Sequence, residues 1–261
     1  MMTFLHVYLV GLALILAMVT LLWIYSVIIK NASIVDVFWG FGFVITNIIY
    51  LIMNDVSSPR QWLLVILVSV WGIRLSGYIG WRNYGKEEDF RYQKFREDYG
   101  AHRYWWVSYF QVFLLQGLLM WLISAPLLAT HFNSQPDSLN LIDLFAFIIW
   151  LIGFVFEAGG DWQLAKFKAN PENKGKVLNT GFWHYTRHPN YFGDATVWVA
   201  YALFSVASGS YLPVLGSLLM IGLIIKVSGV AMLERTLKET KPAYKDYIEK
   251  TNSFFPWFPR K

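Results

Sequence analysis

The apolar positions of this chain gather into seven long stretches, 4–29, 33–53, 61–81, 105–129, 139–160, 190–209 and 211–233, separated by shorter polar connections. A helix needs about 20 mostly apolar residues to cross roughly 30 Å of hydrocarbon, so each stretch predicts a transmembrane helix. The first has no basic leader and no small-residue cleavage site, and therefore reads as a helix instead of a signal peptide. Pro59, Pro126, Pro136 and Pro213 fall near span ends, where a missing amide donor does least damage. No internal repeat is evident. The expected fold is all-α: a polytopic membrane protein with about seven transmembrane helices, forming a single transmembrane domain over 1–261.

Charge then orients the spans. Arg82, Lys86, Arg91, Lys94, Arg96 and Arg103 lie between the third and fourth stretches. Lys166, Lys168, Lys174, Lys176 and Arg187 lie between the fifth and sixth, and the tail adds Arg235, Lys238, Lys241, Lys245, Lys250, Arg260 and Lys261. The other connections are poor in basic residues, with only Arg60 in 54–60 and none in 130–138. Positive charge marks the cytoplasmic side, so a seven-span count places the N-terminus outside and the C-terminus in the cytoplasm.

Composition sharpens the class by exclusion. Hydrophobic residues make up 56% of the chain and charged residues 15%, against roughly 25% charged in a soluble domain. Aromatic content of 18%, with 13 Trp, suits membrane interfaces. The net charge of +5 sits between hydrophobic spans, which argues against a nucleic-acid partner. With no cysteine there are no disulfides, thiolate metal sites or cysteine nucleophiles. His102 and His184 lack acidic or histidine neighbours at metal-ligand spacing, and no metal is assigned.

Chemistry-bearing residues concentrate between Asp161 and Asp194. Lys168, Arg187 and His188 are cationic donors suited to phosphate oxygens, and Asn190 and Asp194 can bind amide or hydroxyl groups. Trp183 and Tyr191 offer flat faces for a ring. Asn190 and Asp194 stand four apart and share a helical face. A positive-inside loop leading into a helix would carry much the same residues, and from composition the two readings stand about even. Within the spans, Asp36 and Trp39 mark the second stretch, and Trp71, Arg74 and Tyr78 mark the third. Ionisable groups at membrane depth usually face a cavity or a partner, so Asp36 and Arg74 are an expected ion pair. The plainer alternative is that Asp36 sits at a helix N-terminus while Arg74 snorkels. Glu157 closes the fifth stretch. The segment 84–103 reads first as an amphipathic helix on the cytoplasmic leaflet, a lid being the alternative.

The run Arg187-His-Pro-Asn-Tyr-Phe-Gly-Asp194 resembles the signature of the membrane sterol reductases, whose C-terminal domain is shared with the steroid 5-alpha-reductases. Gln163, Phe167-Lys168-Ala-Asn170-Pro171 and the tail Tyr244-Lys-Asp-Tyr247 to Phe254-Phe-Pro-Trp-Phe-Pro259 are similar to flanking stretches of those reductases. The whole chain, including Ser33-Ile-Val-Asp36-Val-Phe-Trp39-Gly40, looks most like a small bacterial membrane family of that superfamily.

The resemblance implies NADPH-dependent reduction of an activated carbon–carbon double bond in a steroid-like or other lipid, in a bacterial inner membrane. Residues 1–130 would supply the substrate side and 139–261 the cofactor half. Asp161, Lys168, Trp183, Arg187, His188, Asn190, Tyr191, Asp194, Glu234 and Arg235 would bind the cofactor from the cytoplasm. Lys168 replaces an arginine of the sterol reductases, keeping the charge without the bidentate fork. Asp36 and Tyr78 would be catalytic, with Trp39, Trp71, Arg74 and Glu157 around the substrate. Steroid 5-alpha-reductases carry a tyrosine where this chain has Trp71, and an indole cannot supply a proton. Isoprenylcysteine and phospholipid methyltransferases share an Arg-His-Pro-x-Tyr-x-Gly element, so S-adenosylmethionine is the alternative cofactor. A non-catalytic lipid-binding or transport protein is a third class. The expected partners are membrane lipids and an apolar small molecule, with the oligomeric state open.

Overall fold

A computed structural model describes residues 2–54, 58–133, 138–228 and 244–260. Contacts divide the chain into two compact units, Met1–Leu139 with Ser208–Gly216, and Asn140–Ala207 with Ser217–Lys261. Among the described residues all regular structure is helical.

The first unit opens with α1 (Phe4–Ile29), where the Thr3 hydroxyl accepts from the His6 amide and satisfies one orphan donor of the first turn. Then come α2 (Ile34–Ile52) and α3 (Pro59–Asn83). A capping box of Ser58 and Gln61, with Pro59 in the first turn, starts α3 at the point where apolar residues resume. The connection folds as α4 (Phe90–Tyr99). Next is a long apolar run that the structure breaks into α5 (Ala101–Ser108), a π-helical turn (Tyr109–Leu114), α6 (Leu115–Ile123) and α7 (Ala125–Phe132). The predicted fourth span lies within this one helical stretch, Ala101–Phe132, and Pro126 stands in its last part, in the first turn of α7. Proline cannot donate to the preceding turn, and the break at Ser124 follows from that.

In this unit α2 and α3 meet through Gly40 and Gly72, where a Cβ on either would lie 2.5 Å from the other's carbonyl oxygen. Small residues let two backbones approach where no hydrophobic force separates helix from lipid. Around that contact Phe43, Leu64, Val68 and Trp71 are fully buried. Polar side chains join them: Tyr50 and Ser124 share a hydrogen bond of 2.9 Å, and His131 Nε2 lies 2.8 Å from Asn47 Oδ1.

The second unit is built on α8 (Leu141–Ala169) and α10 (Pro189–Ala207), with the short α9 (Phe182–Tyr185) between them and α12 (Tyr244–Lys250) near the end. Asn140 and Asp143 form the capping box of α8. That helix runs to Ala169, past the predicted end at 160, because Gln163, Leu164, Ala165 and the lysines that follow favour helix beyond the apolar run. Gly153, Gly160 and Gly193 set the α8–α10 contact, and a Cβ on Gly193 would come within 2.3 Å of the Glu157 amide nitrogen. Helix α11 (Val214–Leu223) continues as a π-helical turn over Ile224–Ser228.

Outward-facing positions are consistent with a membrane environment. Exposed residues of α8 include Leu141, Leu144, Phe145, Ile148, Leu151, Ile152 and Val155, while its buried positions include Asp143, Glu157 and Asp161. This inversion of the soluble pattern is what a hydrocarbon solvent demands. Five helical stretches are long and apolar enough to cross a membrane: Phe4–Ile29, Ile34–Ile52, Pro59–Asn83, Ala101–Phe132 and Leu141–Ala169. They are consistent with an integral membrane protein. The sixth predicted span folds as α10, which falls outside those five, and the seventh as the shorter α11, its residues 229–233 lying outside the described ones.

Candidate functional site

A cavity of about 410 Å³ opens within the second unit. Its wall takes Leu164, Phe167 and Lys168 from the end of α8, and Asn170, Pro171, Asn173, Lys174, Gly175, Val177 and Leu178 from the following connection. Trp183, Arg187 and His188 come from α9 and the turn before α10, and Tyr244 and Tyr247 from α12. None of these lining residues is a carboxylate.

Local chemistry explains why the wall holds its shape. Gly181 has φ +62°, a left-handed conformation that turns the chain into α9, and a side chain there would collide with Gln163. Gln163 Oε1 accepts from the Phe182 amide at 3.0 Å, and the Trp183 indole donates to the Gly160 carbonyl at 3.1 Å. The C-terminal segment is fastened onto the same turn. Tyr247 Oη donates to the Trp183 carbonyl, and Thr186 Oγ1 donates to the Phe254 carbonyl at 2.8 Å. Arg187 is buried, and its Nη1 donates to the carbonyls of Ile248 (3.1 Å) and Thr251. The Arg187 amide reaches the Asn252 carbonyl at 2.9 Å. Arg187 therefore lines the cavity and also staples the tail.

Beside the cavity, Asn190 Nδ2 donates to Asp161 Oδ1 at 3.0 Å, tying α10 to α8. The His188 and Tyr191 rings stack at 5.6 Å. Asp194 lies half-buried one turn beyond Asn190.

A second polar cluster belongs to the first unit. Asp36 Oδ2 takes Arg91 Nη2 at 2.7 Å, and Asp36 Oδ1 accepts from the Tyr92 hydroxyl at 2.7 Å. Gln116 Nε2 donates to that hydroxyl at 3.3 Å. Arg91 Nε also binds Asp89 Oδ1 at 2.8 Å. Burial alone would raise the Asp89 pKa, but hydrogen bonds from the Arg91 side chain and backbone outweigh it and hold the carboxyl below its ordinary value. For Arg91, burial acts downward and the hydrogen bond to Asp89 with the charge of Asp36 overcomes it, so the guanidinium stays charged. Burial first, then the charge of Asp36, pushes the Tyr92 phenol up, so it stays protonated as a donor.

The expected Asp36–Arg74 ion pair is thereby corrected: both Asp36 oxygens go to α4, because Arg91 and Tyr92 reach the N-terminus of α2. Arg74 lies instead over the Tyr78 ring at 5.4 Å, with Arg82 also near that ring at 5.8 Å. The segment expected as a surface helix is docked on its own unit, with Tyr92 buried. Trp71 is fully buried 6.0 Å from Phe43, which in turn lies 5.4 Å from Trp39. Glu157 is buried on α8.

A family model described as "Protein of unknown function (DUF1295)" matches residues 22–251. The chain belongs to that family. A similar relative of the DUF1295 chain is "Uncharacterized protein C594.04c" of Schizosaccharomyces pombe, 26% identical over 95% of this chain and 79% of the relative. No solved structure matches.

Of the cofactor-binding residues expected for this DUF1295 chain, Lys168, Trp183, Arg187 and His188 line the cavity. Asp161, Asn190, Tyr191 and Asp194 lie outside its lining, and Glu234 and Arg235 lie outside the described residues. Asn173, Lys174, Tyr244 and Tyr247 were not expected. The two tyrosines stand three apart on α12, a spacing that already places them on one face.

Proposed function

We propose that this protein is a membrane reductase that takes NADPH into the cavity of its second unit and reduces an activated carbon–carbon double bond of a lipid or steroid-like molecule. The observation that carries this reading is the charge of the lining. Lys168, Lys174 and Arg187 contribute three cations, and the described residues of the lining include no carboxylate. That donor set suits a polyphosphate, and it repels the positive sulfonium of S-adenosylmethionine. Trp183, Tyr244 and Tyr247 supply flat apolar surface for a ring, and the cavity size lies within the range of small-molecule sites. The residues present therefore fit the phosphate-bearing part of NADPH.

Bound NADPH would supply a hydride. The chain's own part is to hold the phosphates at Lys168, Lys174 and Arg187 and to keep water out with the tail fastened by Tyr247. Tyr78, whose ring lies 5.4 Å from the Arg74 guanidinium and 5.8 Å from that of Arg82, is the proton donor that the resemblance suggests. Asp36 contributes by holding Arg91 and Tyr92 in place. The positive-inside pattern supports a seven-span arrangement in a bacterial inner membrane, with this cavity facing the cytoplasm. The resemblance of Arg187–Asp194 to the sterol reductase signature supports the same reaction class.

Thermal unfolding of detergent-purified protein with NADPH and with S-adenosylmethionine tests the reading. A ligand at a hundred times its dissociation constant stabilises by about 2.7 kcal/mol. NADPH alone is expected to stabilise, and the double substitution Lys168→Ala, Lys174→Ala should remove that effect while circular dichroism shows the protein still folded. Stabilisation by S-adenosylmethionine alone would replace the reductase by a lipid methyltransferase.

A further inference from the structure

A second cavity, of about 490 Å³, lies wholly within the first unit and takes no part in the reaction proposed above. It is bounded by the end of α1, the turn into α2, and the α4–α5 corner, with Ser26, Lys30, Arg96, Tyr104, Trp105 and Ser108 in its wall. Three features of that wall point to one ligand chemistry.

The first is net charge. Arg96 is neutralised by Glu88, whose Oε1 lies 2.9 Å from Nη2, and the same nitrogen donates to the Lys30 carbonyl at 3.2 Å. Among the described residues Lys30 has no such acidic partner, so the wall keeps one uncompensated positive charge. Lys30 is also the one non-glycine residue with positive φ among those described, at 54°, where it ends α1. The second is an unsatisfied donor. Tyr104 is 1% exposed, and its hydroxyl has no hydrogen-bond partner among the described residues. A buried hydroxyl without a partner is costly to the fold, and a bound acceptor recovers that cost. The third is the rim. Trp105 of the wall is exposed, as are its chain neighbour Trp106 and, at the end of α1, Tyr25, Ile28 and Ile29, and the Trp23 indole donates to the Trp105 carbonyl at 2.8 Å. Tryptophan and tyrosine at the mouth of a polar hollow, on helices otherwise facing hydrocarbon, are the pattern of the headgroup layer.

A monoanionic phosphate with acyl chains attached meets all three. We propose that this cavity binds the phosphate of an anionic phospholipid headgroup, held by Lys30 and the Tyr104 hydroxyl, with the acyl chains over Tyr25, Ile28 and Trp105. A zwitterionic headgroup brings its own cation toward Lys30 and fits less well, and a free phosphate makes no use of the aromatic rim.

The full chain in non-ionic detergent is titrated with dioleoyl phosphatidylglycerol, dioleoyl phosphatidylcholine or inorganic phosphate, and thermal unfolding is followed. Phosphatidylglycerol should raise the unfolding temperature saturably, and the other two should not. Lys30→Gln and Tyr104→Phe each remove a group with no hydrogen-bond or ion-pair partner among the described residues, so the lipid-free unfolding temperature should hold. In each variant the half-saturating concentration of phosphatidylglycerol should rise about tenfold. The Lys168→Ala, Lys174→Ala protein should keep the lipid response, which separates this site from the NADPH reading. Equal stabilisation by phosphatidylcholine, an equal response to inorganic phosphate, or an unchanged phosphatidylglycerol response in both variants would overturn the proposal.

Discussion

The two units join helices in the same way and use charge in opposite ways. In each, a glycine pair brings two helices into backbone contact: Gly40 with Gly72 between α2 and α3, and Gly153 with Gly193 between α8 and α10. In the first unit the charges around Asp36 answer one another, Arg91 bridging Asp36 and Asp89. In the second, the described residues of the cavity wall include Lys168, Lys174 and Arg187 and no carboxylate. An internally balanced cluster holds helices together. Cations gathered on a concave wall suit an anion, and that difference makes the second unit the candidate for cofactor binding.

The most severe way to break the shared feature is to give those glycines side chains. Gly193→Ala and Gly40→Ala should each destabilise by about 3 kcal/mol, seen as loss of folded protein on size-exclusion chromatography. Gly77→Ala, with nothing within 4 Å, is the matched control and should change stability by less than about 1 kcal/mol. Equal behaviour of Gly77→Ala and Gly40→Ala would mean that close approach does not decide the packing.

The contrast in charge is tested next. Lys174→Glu places a carboxylate in the cationic wall and should weaken NADPH binding by about 2 kcal/mol, measured by calorimetry, with folding unchanged. Asp36→Asn should leave that affinity intact and lower turnover. Unchanged turnover would make the Asp36 cluster purely structural.

Smaller effects probe the balanced cluster itself. Tyr92→Phe removes the donor to Asp36 and the acceptor for Gln116, and should cost about 1–2 kcal/mol in chemical unfolding. Asp89 has a folded pKa below its ordinary value of 3.8, so its stabilising effect is fully present above that value. It is lost as pH falls through the lower, folded value. Wild-type protein should therefore unfold at a higher temperature than Asp89→Asn near neutrality, and the gap should close below about pH 4. A gap that widens on acidification would contradict the sign.

Much of this was legible in the residue pattern. The apolar runs at 4–29, 33–53 and 61–81 became α1, α2 and α3, since twenty apolar residues have no competing use in water or lipid. The concentration of cationic and aromatic groups between Asp161 and Asp194 led to the wall that carries Lys168, Trp183, Arg187 and His188. Missed were the partners that arrive from afar. Tyr244 and Tyr247 are more than fifty residues from Trp183, and nothing local in either stretch says that they share a cavity. Arg74 was chosen for Asp36 because both are ionisable groups within apolar stretches, yet Arg91 and Tyr92 prevailed once the connection folded back as α4.

By itself, then, the sequence determined the solvent and the helices, because hydropathy summed over a span is insensitive to where any other residue lies. It also determined which connections are rich in cations, and so where an anionic cofactor can be sought. Only the tertiary structure decided which charges cancel. Electrostatic energy falls with distance and depends on burial, and chain order specifies neither. That is why Asp36 and Lys168, both charged residues near the end of an apolar run, hold such different places: one enclosed by Arg91 and Tyr92, the other on the wall of a cavity.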